Sequence, residues 1–332
     1  GSMNPVEQLC FIGARGMGAL EFTPALLPAT TNSYNVEVGS LVDLAKEILD
    51  KRSSFTADLS KDKEKAMKDI LRISTSAGGA RPKAIIAYNE KTKEVRSGQA
   101  RAPQGFEHWL LKLDGVSDTQ FGESQGYGRV EMAYYNMAID AGITMMPSML
   151  LEENGRAHFI TKRFDRSGSN TKHHVQTFCA MQHYDFNLVG NNSYEQLFQT
   201  ARQLNLSAFE QTELFRRMVF NVIMKNCDDH TKNFSFILKE TESWALSPAY
   251  DVCHAYRPDS VWVSKHALSI NGKREGITRH DLLAVAENVG VKKPERIIDL
   301  INDVARQWLT YAKSARVFEE KAIAIKKDIK PL

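Results

Sequence analysis

The chain has 332 residues, of which 42% are hydrophobic and 25% are charged, and its formal net charge is +3. Such a composition is typical of a globular protein, and the length allows one large domain or two lobes that share a cleft. The small net charge excludes an electrostatic argument for binding nucleic acid or an acidic membrane surface.

Cysteine usage and hydropathy indicate the compartment. The four cysteines, Cys10, Cys179, Cys227 and Cys253, show no paired spacing, so we expect free thiols in a reducing environment. No apolar run approaches the roughly 18 residues of a spanning helix, and no signal peptide is visible. We therefore expect a cytoplasmic protein that does not associate with a membrane.

The first half of the chain is predicted to be rich in strands. "SLVDLAKEIL" from Ser40 to Leu49 predicts a helix, with Ser40 as its N-cap. "KAIIAY" and "HWLLKLD" then predict two strands, with "NEKTKE" as a turn between them. "EMAYYNMAIDAG" predicts a helix that ends at Gly142, and "HFITKRFDR" predicts one more strand.

The second half is predicted to be helical. "SYEQLFQTARQL", "AFEQTELFRRMVFNVIMKN" and "TRHDLLAVAENVG" have amphipathic spacing, as does the long run that starts at "PERIIDL". We predict an α+β protein with a two-lobed, protein-kinase-like fold. Its lobes would be residues 1–165, rich in strands, and residues 166–332, mostly helical, with a ligand cleft between them.

A small-residue loop precedes the first predicted strand. In "STSAGGARPKA", residues 77–80 contain little beyond backbone, and Lys83 stands just after them. Backbone N–H groups with one lysine suit a polyphosphate. The motif matches neither common phosphate-loop pattern, so a flexible glycine-containing turn is the alternative.

Lys112 lies inside an otherwise apolar strand. A lysine there is costly unless its ammonium group reaches a partner. Glu131, at the start of the next helix, could pair with it and leave it aimed at phosphate oxygens. The alternative is an edge-strand lysine in water and an unrelated surface glutamate.

The segment "NCDDHTKNFSF" crowds charges between two apolar stretches. Asp228 and Asn233 are five residues apart, as in the kinase catalytic loop HRDxxxxN. There the aspartate accepts the proton of the attacking hydroxyl, and the asparagine binds Mg²⁺. In "SPAYDVCHAY", Asp251 is a candidate second metal ligand. A polar loop that caps a helix would not explain two aspartates at the negative end of the helix dipole.

These motifs resemble the HipA family of bacterial serine/threonine kinases, the toxins of toxin–antitoxin systems. "SAGGARPKA" resembles its phosphate loop, "ITKRFDR" its hinge, "CDDHTKNFSF" its catalytic loop and "SPAYDV" its metal-binding segment. The resemblance covers nearly the whole chain. It implies Asp228 as the catalytic base, Asn233 and Asp251 as Mg²⁺ ligands, and ATP as the phosphoryl donor.

The resemblance also implies which residues bind the nucleotide. Lys112 would contact the α- and β-phosphates, and Lys162 to Phe164 would meet adenine mainly through backbone. His230 would lie near the ribose or phosphates. The complete set of implied nucleotide-binding residues is Ala77, Gly78, Gly79, Ala80, Arg81, Lys83, Lys112, Lys162, Arg163, Phe164, His230 and Lys232.

This sequence differs from the longer family members at its start, and in this respect it resembles the shorter HipT branch of the family. "LCFIGARGMGALEF" begins within ten residues of the start but resembles an internal segment of longer relatives. The resemblance implies a small HipS-like partner protein and a helix-turn-helix, DNA-binding HipB-like antitoxin. It also implies autophosphorylation at Ser74 or Ser76, where a phosphate would repel ATP or reshape the loop. These hydroxyls could instead merely end a strand.

We therefore expect an ATP- and Mg²⁺-dependent protein serine/threonine kinase. The resemblance implies that it phosphorylates an aminoacyl-tRNA synthetase, tryptophanyl if the HipT assignment holds, and so arrests growth, without binding nucleic acid directly on its own. Two alternatives stay open, namely a kinase of a small-molecule hydroxyl and a non-catalytic ATP-binding co-repressor. A scaffold would not need to keep Asp228, Asn233 and Asp251 together.

Overall fold

The computed structural model describes residues 4–26, 36–42, 82–98, 101–115, 126–168, 170–238 and 243–332. Contacts between Cα atoms divide the chain into two compact units. The first comprises Gly1–Gly128 and Pro147–His174, and the second comprises Arg129–Met146 and Val175–Leu332. The division predicted at residue 165, between a strand-rich half and a helical half, stays a prediction.

The first unit contains a five-stranded antiparallel sheet in the order β2-β1-β3-β5-β4. Its strands are β1 Lys83–Tyr88, β2 Val95–Ser97, β3 Glu107–Lys112, β4 Ser148–Glu153 and β5 Arg156–Lys162. All six residues of β1 are buried, which explains why its sequence is a continuous apolar run after the lysine. The predicted strands at "KAIIAY" and "HWLLKLD" are confirmed.

Shorter elements complete the described part of this unit. Helix α1, Pro5–Ile12, begins at an Asn4–Glu7 capping box, and two short strands, β6 Arg166–Ser167 and β7 Thr171–Lys172, pair with each other. Residues 38–42 are helical, so the helix predicted from Ser40 begins two residues earlier, and its predicted remainder lies outside the described residues.

An apolar core covers one face of the five-stranded sheet. Leu41 and Val42 pack there against the buried side chains of β1 and β3. Trp109 is fully buried, and its ring meets Tyr88 edge-on, with 5.9 Å between the ring centroids. This core fixes the register of β1 and β3.

The second unit is mainly helical. Its helices are α2 Tyr127–Asp140, α3 Phe178–Met181, α4 Tyr194–Gln203, α5 Ala208–Ile223, α6 Arg279–Val289, α7 Pro294–Arg306, α8 Trp308–Ser314 and α9 Glu319–Asp328. A three-stranded sheet accompanies them, with strands β8 His174–Thr177, β9 Ser235–Leu238 and β10 Trp244–Leu246 in the order β10-β9-β8.

A single large core holds this unit together. Helix α2 packs into it through Ala133, Tyr134 and Met137, all fully buried. The helix ends as predicted at Gly142, whose φ of 78° is the left-handed conformation that glycine adopts most easily. The long helical pattern from "PERIIDL" onward forms three separate helices, because the chain turns at Gln307 and again at Ala315.

Helices and sheets are mixed in this chain, as the α+β prediction requires. The two-lobed, kinase-like arrangement stays a prediction. None of the described helices combines the length and the apolar character needed to cross a bilayer.

Candidate active site

The predicted catalytic loop follows the most buried helix of the second unit. Helix α5 begins at a capping box between Ser207 and Glu210, and ten of its residues are buried. After it ends, Lys225 adopts a φ of 55°, which turns the chain. The N–H of Asn226 then donates to the carbonyl oxygen of Asn221 at 3.0 Å. The loop therefore begins from a fixed point in the core.

Backbone hydrogen bonds hold the loop on both sides at Cys227. Its N–H donates to the carbonyl oxygen of Ala255 at 2.9 Å, and its own carbonyl oxygen accepts from the N–H of Ala267 at 3.2 Å. The thiol is buried. Asp228 thus follows a residue whose main chain is held by two other segments.

The two adjacent carboxylates differ sharply in environment. The Asp228 side chain is 48% exposed, whereas Asp229 is 1% exposed. Asp229 accepts hydrogen bonds from the Tyr194 hydroxyl at 2.8 Å, the His266 Nδ1 at 2.8 Å and the N–H of Ala267 at 2.7 Å. Only Asp228 is therefore open to a substrate, which is the property that its predicted role requires.

Asn233 folds back onto the same loop. It closes a single 3-10 turn, Thr231–Asn233, and its Nδ2 donates to the carbonyl oxygen of Asp228 at 2.6 Å. Because the amide nitrogen is engaged in this bond, the carboxamide oxygen is the atom available to a cation. The five-residue spacing thus brings the Asn233 side chain and the Asp228 main chain into direct contact.

Asp251 and Asn233 line one small pocket, together with Asp229 and Tyr250. Asp251 has a φ of 53°, a conformation that is uncommon for a residue with a side chain and that recurs at functional sites. The Tyr250 hydroxyl donates to the carbonyl oxygen of Lys232 at 2.7 Å, so the "SPAYD" segment is tied to the catalytic loop. Burial raises the pKa of Tyr250 far above its ordinary value, so the hydroxyl stays protonated.

This oxygen-rich donor set fits Mg²⁺. Carboxylate and amide oxygens are the protein ligands that Mg²⁺ prefers, and it commonly takes only one or two of them besides water and phosphate. Among the residues that the structure describes, no group of three or more His, Cys, Asp and Glu side chains could hold a metal by itself. Water or phosphate oxygens would therefore complete a site on Asn233 and Asp251.

Phe186 contacts the two basic residues of the loop and was not predicted from the sequence. The Lys232 ammonium lies over the Phe186 ring at 3.0 Å from the centroid. The His230 ring lies 6.2 Å from the same ring, and its Nε2 is 3.7 Å from Asp228 Oδ1. Phe186 precedes His230 and Lys232 by more than forty positions, so no sequence spacing predicts these contacts.

His266 is a second residue that sequence reasoning missed. Burial opposes its charged form, but the Asp229 carboxylate overcomes that effect through charge and hydrogen bonding, and raises the pKa of His266 to about 10. The residue therefore carries a proton on both ring nitrogens at neutral pH. This buried cation balances the buried Asp229 carboxylate.

Two predicted nucleotide-binding lysines lie opposite each other in the first unit. Lys83 in β1 and Lys112 in β3 are cross-strand partners, and each is largely buried. Directly opposed residues project from the same face of a sheet and place two cations close together. The Lys112 ammonium also lies 5.8 Å from the centroid of the Phe159 ring.

The segment predicted as the hinge contains a network of ion pairs. Arg163 donates two hydrogen bonds to Asp165, at 2.8 and 2.6 Å, and Arg166 donates to Asp165 at 2.8 Å. The N–H of Gly18 also donates to Asp165, at 2.7 Å, which anchors the N-terminal segment. Burial raises the pKa of Asp165, but Arg163 and Arg166 outweigh it and the net pKa is lowered.

Some of the remaining predicted site residues have contacts within the structure, and others lie outside the described residues. The Lys162 ammonium pairs with Glu107 at 2.6 Å, and the N–H of Arg163 donates to the carbonyl oxygen of His108 at 2.9 Å. Glu131 is buried in α2, and its pairing with Lys112 stays a prediction. The predicted phosphate-loop residues 77–81 and the predicted phosphorylation sites Ser74 and Ser76 lie outside the described residues.

Comparison with known proteins identifies the family. Residues 75–310 match the family described as HipA-like C-terminal domain. This match covers well over half of the chain, and the chain belongs to this family.

Two curated relatives are 27% identical to this chain. "Putative kinase Y4dM" of Sinorhizobium fredii aligns over 43% of this chain and 36% of its own length. A protein of Haemophilus influenzae that also carries the name "Putative kinase" aligns over 45% of this chain and 50% of its own length. The chain thus spans between about a third and a half of the length of these relatives.

A solved structure shares the fold over nearly the whole chain. The complex of the Shewanella oneidensis MR-1 toxin–antitoxin system, HipA, HipB and operator DNA, contains a chain that superposes with a TM-score of 0.67. The superposition covers 99% of this chain and 77% of that chain, at 18% sequence identity. At this identity the likeness shows the fold alone.

Proposed function

We propose that the protein is an ATP- and Mg²⁺-dependent kinase that transfers the γ-phosphoryl group to a serine or threonine hydroxyl of another protein. One observation carries the proposal. The Asn233 amide donates to the main chain of Asp228, and Asn233 lines one pocket with Asp251, so the three residues of the predicted chemistry cluster in the second unit. Membership of the HipA-like family supports it.

In the proposed reaction Asp228 orients the target hydroxyl and accepts its proton. The hydroxyl oxygen forms a bond to the γ-phosphorus while the bond to the β,γ-bridging oxygen breaks, and ADP leaves with that oxygen. The half-exposed Asp228 side chain supports this role, because the base must reach the hydroxyl of an incoming substrate. Positioning and charge neutralisation supply most of the rate.

Asn233 and Asp251 would hold the Mg²⁺ ion, which when bound would neutralise charge on the phosphates. Lys83 and Lys112 would bind phosphate oxygens, and their opposed positions in β1 and β3 support this assignment. Lys162 to Phe164 would bind adenine through backbone. Lys232 would add positive charge near the nucleotide, and His230 would lie near the ribose or phosphates.

The proposed substrate is an aminoacyl-tRNA synthetase, with the tryptophanyl enzyme favoured by the HipT-like features of the sequence. Self-phosphorylation is proposed at Ser74 or Ser76. The phosphate would add nearly two negative charges beside those of ATP and so weaken nucleotide binding. The protein would act in the cytoplasm, and its four free thiols support that location.

The proposed partners are a small HipS-like protein and a DNA-binding HipB-like antitoxin. Helix α1 supports an interaction at the N-terminal segment, because Val6 is 67% exposed and Leu9 is 40% exposed. Leu20, further along the segment, is 56% exposed. Val6 and Leu9 lie three residues apart in the helix, and a contiguous exposed apolar patch is typical of protein-binding surfaces.

A labelling experiment tests the proposal. Purified protein is incubated with Mg²⁺, γ-³²P-ATP and purified tryptophanyl-tRNA synthetase, and in parallel with a panel of sugar and antibiotic hydroxyl compounds. Label on the synthetase or on the chain itself supports a protein kinase. Label on a small molecule alone would replace it with a small-molecule kinase, and no label on any acceptor would favour a non-catalytic role.

A further inference from the structure

Asp229 belongs to a buried hydrogen-bonded network, which we call the Asp229 network, made of Tyr194, Asn221, Asn226, Asp229 and His266. We infer that this network is a positioning device that holds the main chain on both sides of Asp228 and thereby sets where the Asp228 carboxylate lies. The part of this inference that concerns Asp228 as the catalytic base rests on the proposed function. The part that concerns the position of the loop does not depend on that function.

Asp229 is the centre of the network. One carboxylate oxygen accepts from the Tyr194 hydroxyl and the His266 Nδ1, each at 2.8 Å, and the other accepts from the N–H of Ala267 at 2.7 Å. Both oxygens are thus satisfied without water, in a side chain that is fully buried. A carboxylate held in this way cannot rotate to meet a substrate, and its effect must pass through the main chain.

The network continues to the residue before Cys227. The Tyr194 hydroxyl accepts from Asn221 Nδ2 at 3.0 Å, and Asn221 Oδ1 accepts from Asn226 Nδ2 at 2.9 Å. The network therefore ties residue 226 to α4 and α5 and ties residue 229 to the segment at 266–267. The two residues between these anchors are Cys227, held by its own backbone bonds, and Asp228.

The network contains a buried pair of opposite charges, so its stability depends on both partners. Asp229 and His266 are both almost completely buried, so their opposite charges compensate each other in a medium of low dielectric constant. Loss of either partner leaves an uncompensated buried charge, which is relieved by a change of protonation or by movement of the loop toward water. Loss of the Tyr194 hydroxyl removes two hydrogen bonds but no charge, and is the milder perturbation.

Hydrogen exchange measures the fixing of the loop directly. The variant Tyr194→Phe removes the hydroxyl while keeping the buried ring, and Asp229→Asn removes the charge at nearly constant shape. Tyr311→Phe is the matched control, since its hydroxyl donates to Asp140 at 2.5 Å in the same unit but outside the loop. Peptides covering residues 226–233 are followed by mass spectrometry.

We expect Tyr194→Phe to speed exchange in this segment by at least about tenfold, because the hydroxyl makes two buried hydrogen bonds in the network. Asp229→Asn should speed it further, and Tyr311→Phe should leave it at the wild-type rate. Wild-type exchange of residues 226–233 in both network variants would overturn the inference, whether or not the chain transfers phosphoryl groups.

A double-mutant cycle tests the link to Asp228. Tyr194→Phe is expected to lower kcat for labelled phosphoryl transfer by about 10²-fold, the cost of a small misplacement of a catalytic group, with the KM for ATP unchanged. In an Asp228→Asn background the same change should have little further effect. Equal losses in both backgrounds would show that the network does not act through Asp228.

A wild-type chain that transfers no phosphoryl group would refute the proposed function instead. The hydrogen-exchange experiment would still decide whether the network holds the loop.

Discussion

Asp228 and Asp229 are consecutive carboxylates in different surroundings, because the first is half-exposed and the second is buried. The five-residue spacing to Asn233 predicted Asp228 as the base, but it gave no role to Asp229. The surroundings of Asp229 depend on Tyr194 and His266, which lie more than thirty positions away in either direction. Spacing therefore predicted the role of Asp228, and tertiary structure was needed to find what Asp229 contacts.

The proposed metal ligands give a residue-scale prediction. Asn233→Ala removes the carboxamide oxygen, and Asp251→Asn removes a carboxylate charge while keeping an oxygen. Each change should raise the Mg²⁺ concentration for half-maximal transfer by about 10- to 100-fold, because a site with few protein ligands depends on each of them. Titration of ³²P transfer against Mg²⁺ measures this, and a Mg²⁺ dependence like that of the wild type in both variants would contradict the assignment.

The His266–Asp229 pair predicts how stability depends on pH. The pKa of His266 is raised from 6.5 to about 10 in the folded chain, so its contribution to stability is complete below pH 6.5 and is lost as the pH rises toward 10. The wild type should therefore lose more free energy of unfolding across this range than the variant His266→Gln. Urea denaturation at several pH values compares them, and parallel pH profiles of the two proteins would contradict the prediction.

At the scale of elements, the long patterns were the most predictable. Continuous apolar sequence identified β1, and amphipathic spacing identified α4 and α5, because these elements bury a face of regular period. The short strands β9 and β10 were not predicted, since three or four residues between helices give no distinct period. The ion pairs of Asp165 were also missed, because their partners come from distant segments.

Helix α5 carries the catalytic loop, and its capping box gives a prediction at this scale. The variant Ser207→Ala removes the acceptor for the Glu210 N–H and should lower the free energy of unfolding by about 1 kcal/mol. Thr212→Ala is the control in the same helix, since its hydroxyl donates only to the Ala208 carbonyl oxygen. Equal losses of stability in the two variants would show that the cap has no special effect.

At the scale of the whole molecule, the chain comprises two compact units, each with its own core. Lys83 and Lys112 belong to the first unit, and the catalytic loop belongs to the second. The order of motifs along the chain predicted one nucleotide site built from all of them, which stays a prediction. The family match to residues 75–310 spans the motifs of both units.

The proposed toxin activity predicts a cellular effect. Induced expression of the chain should arrest growth, and phosphoproteomics should detect new phosphorylation of tryptophanyl-tRNA synthetase and of Ser74 or Ser76. Both effects should disappear with Asp228→Ala, because the base is lost while the fold remains. Growth arrest that persists with this variant would contradict a mechanism based on phosphoryl transfer.

The most direct measurement of the central claim compares wild type with Asp228→Ala in a purified transfer assay with γ-³²P-ATP. The variant should lose label by at least about 10²-fold, while ATP affinity measured by calorimetry stays close to that of the wild type. Undiminished labelling by the variant would contradict the assignment of Asp228 as the base.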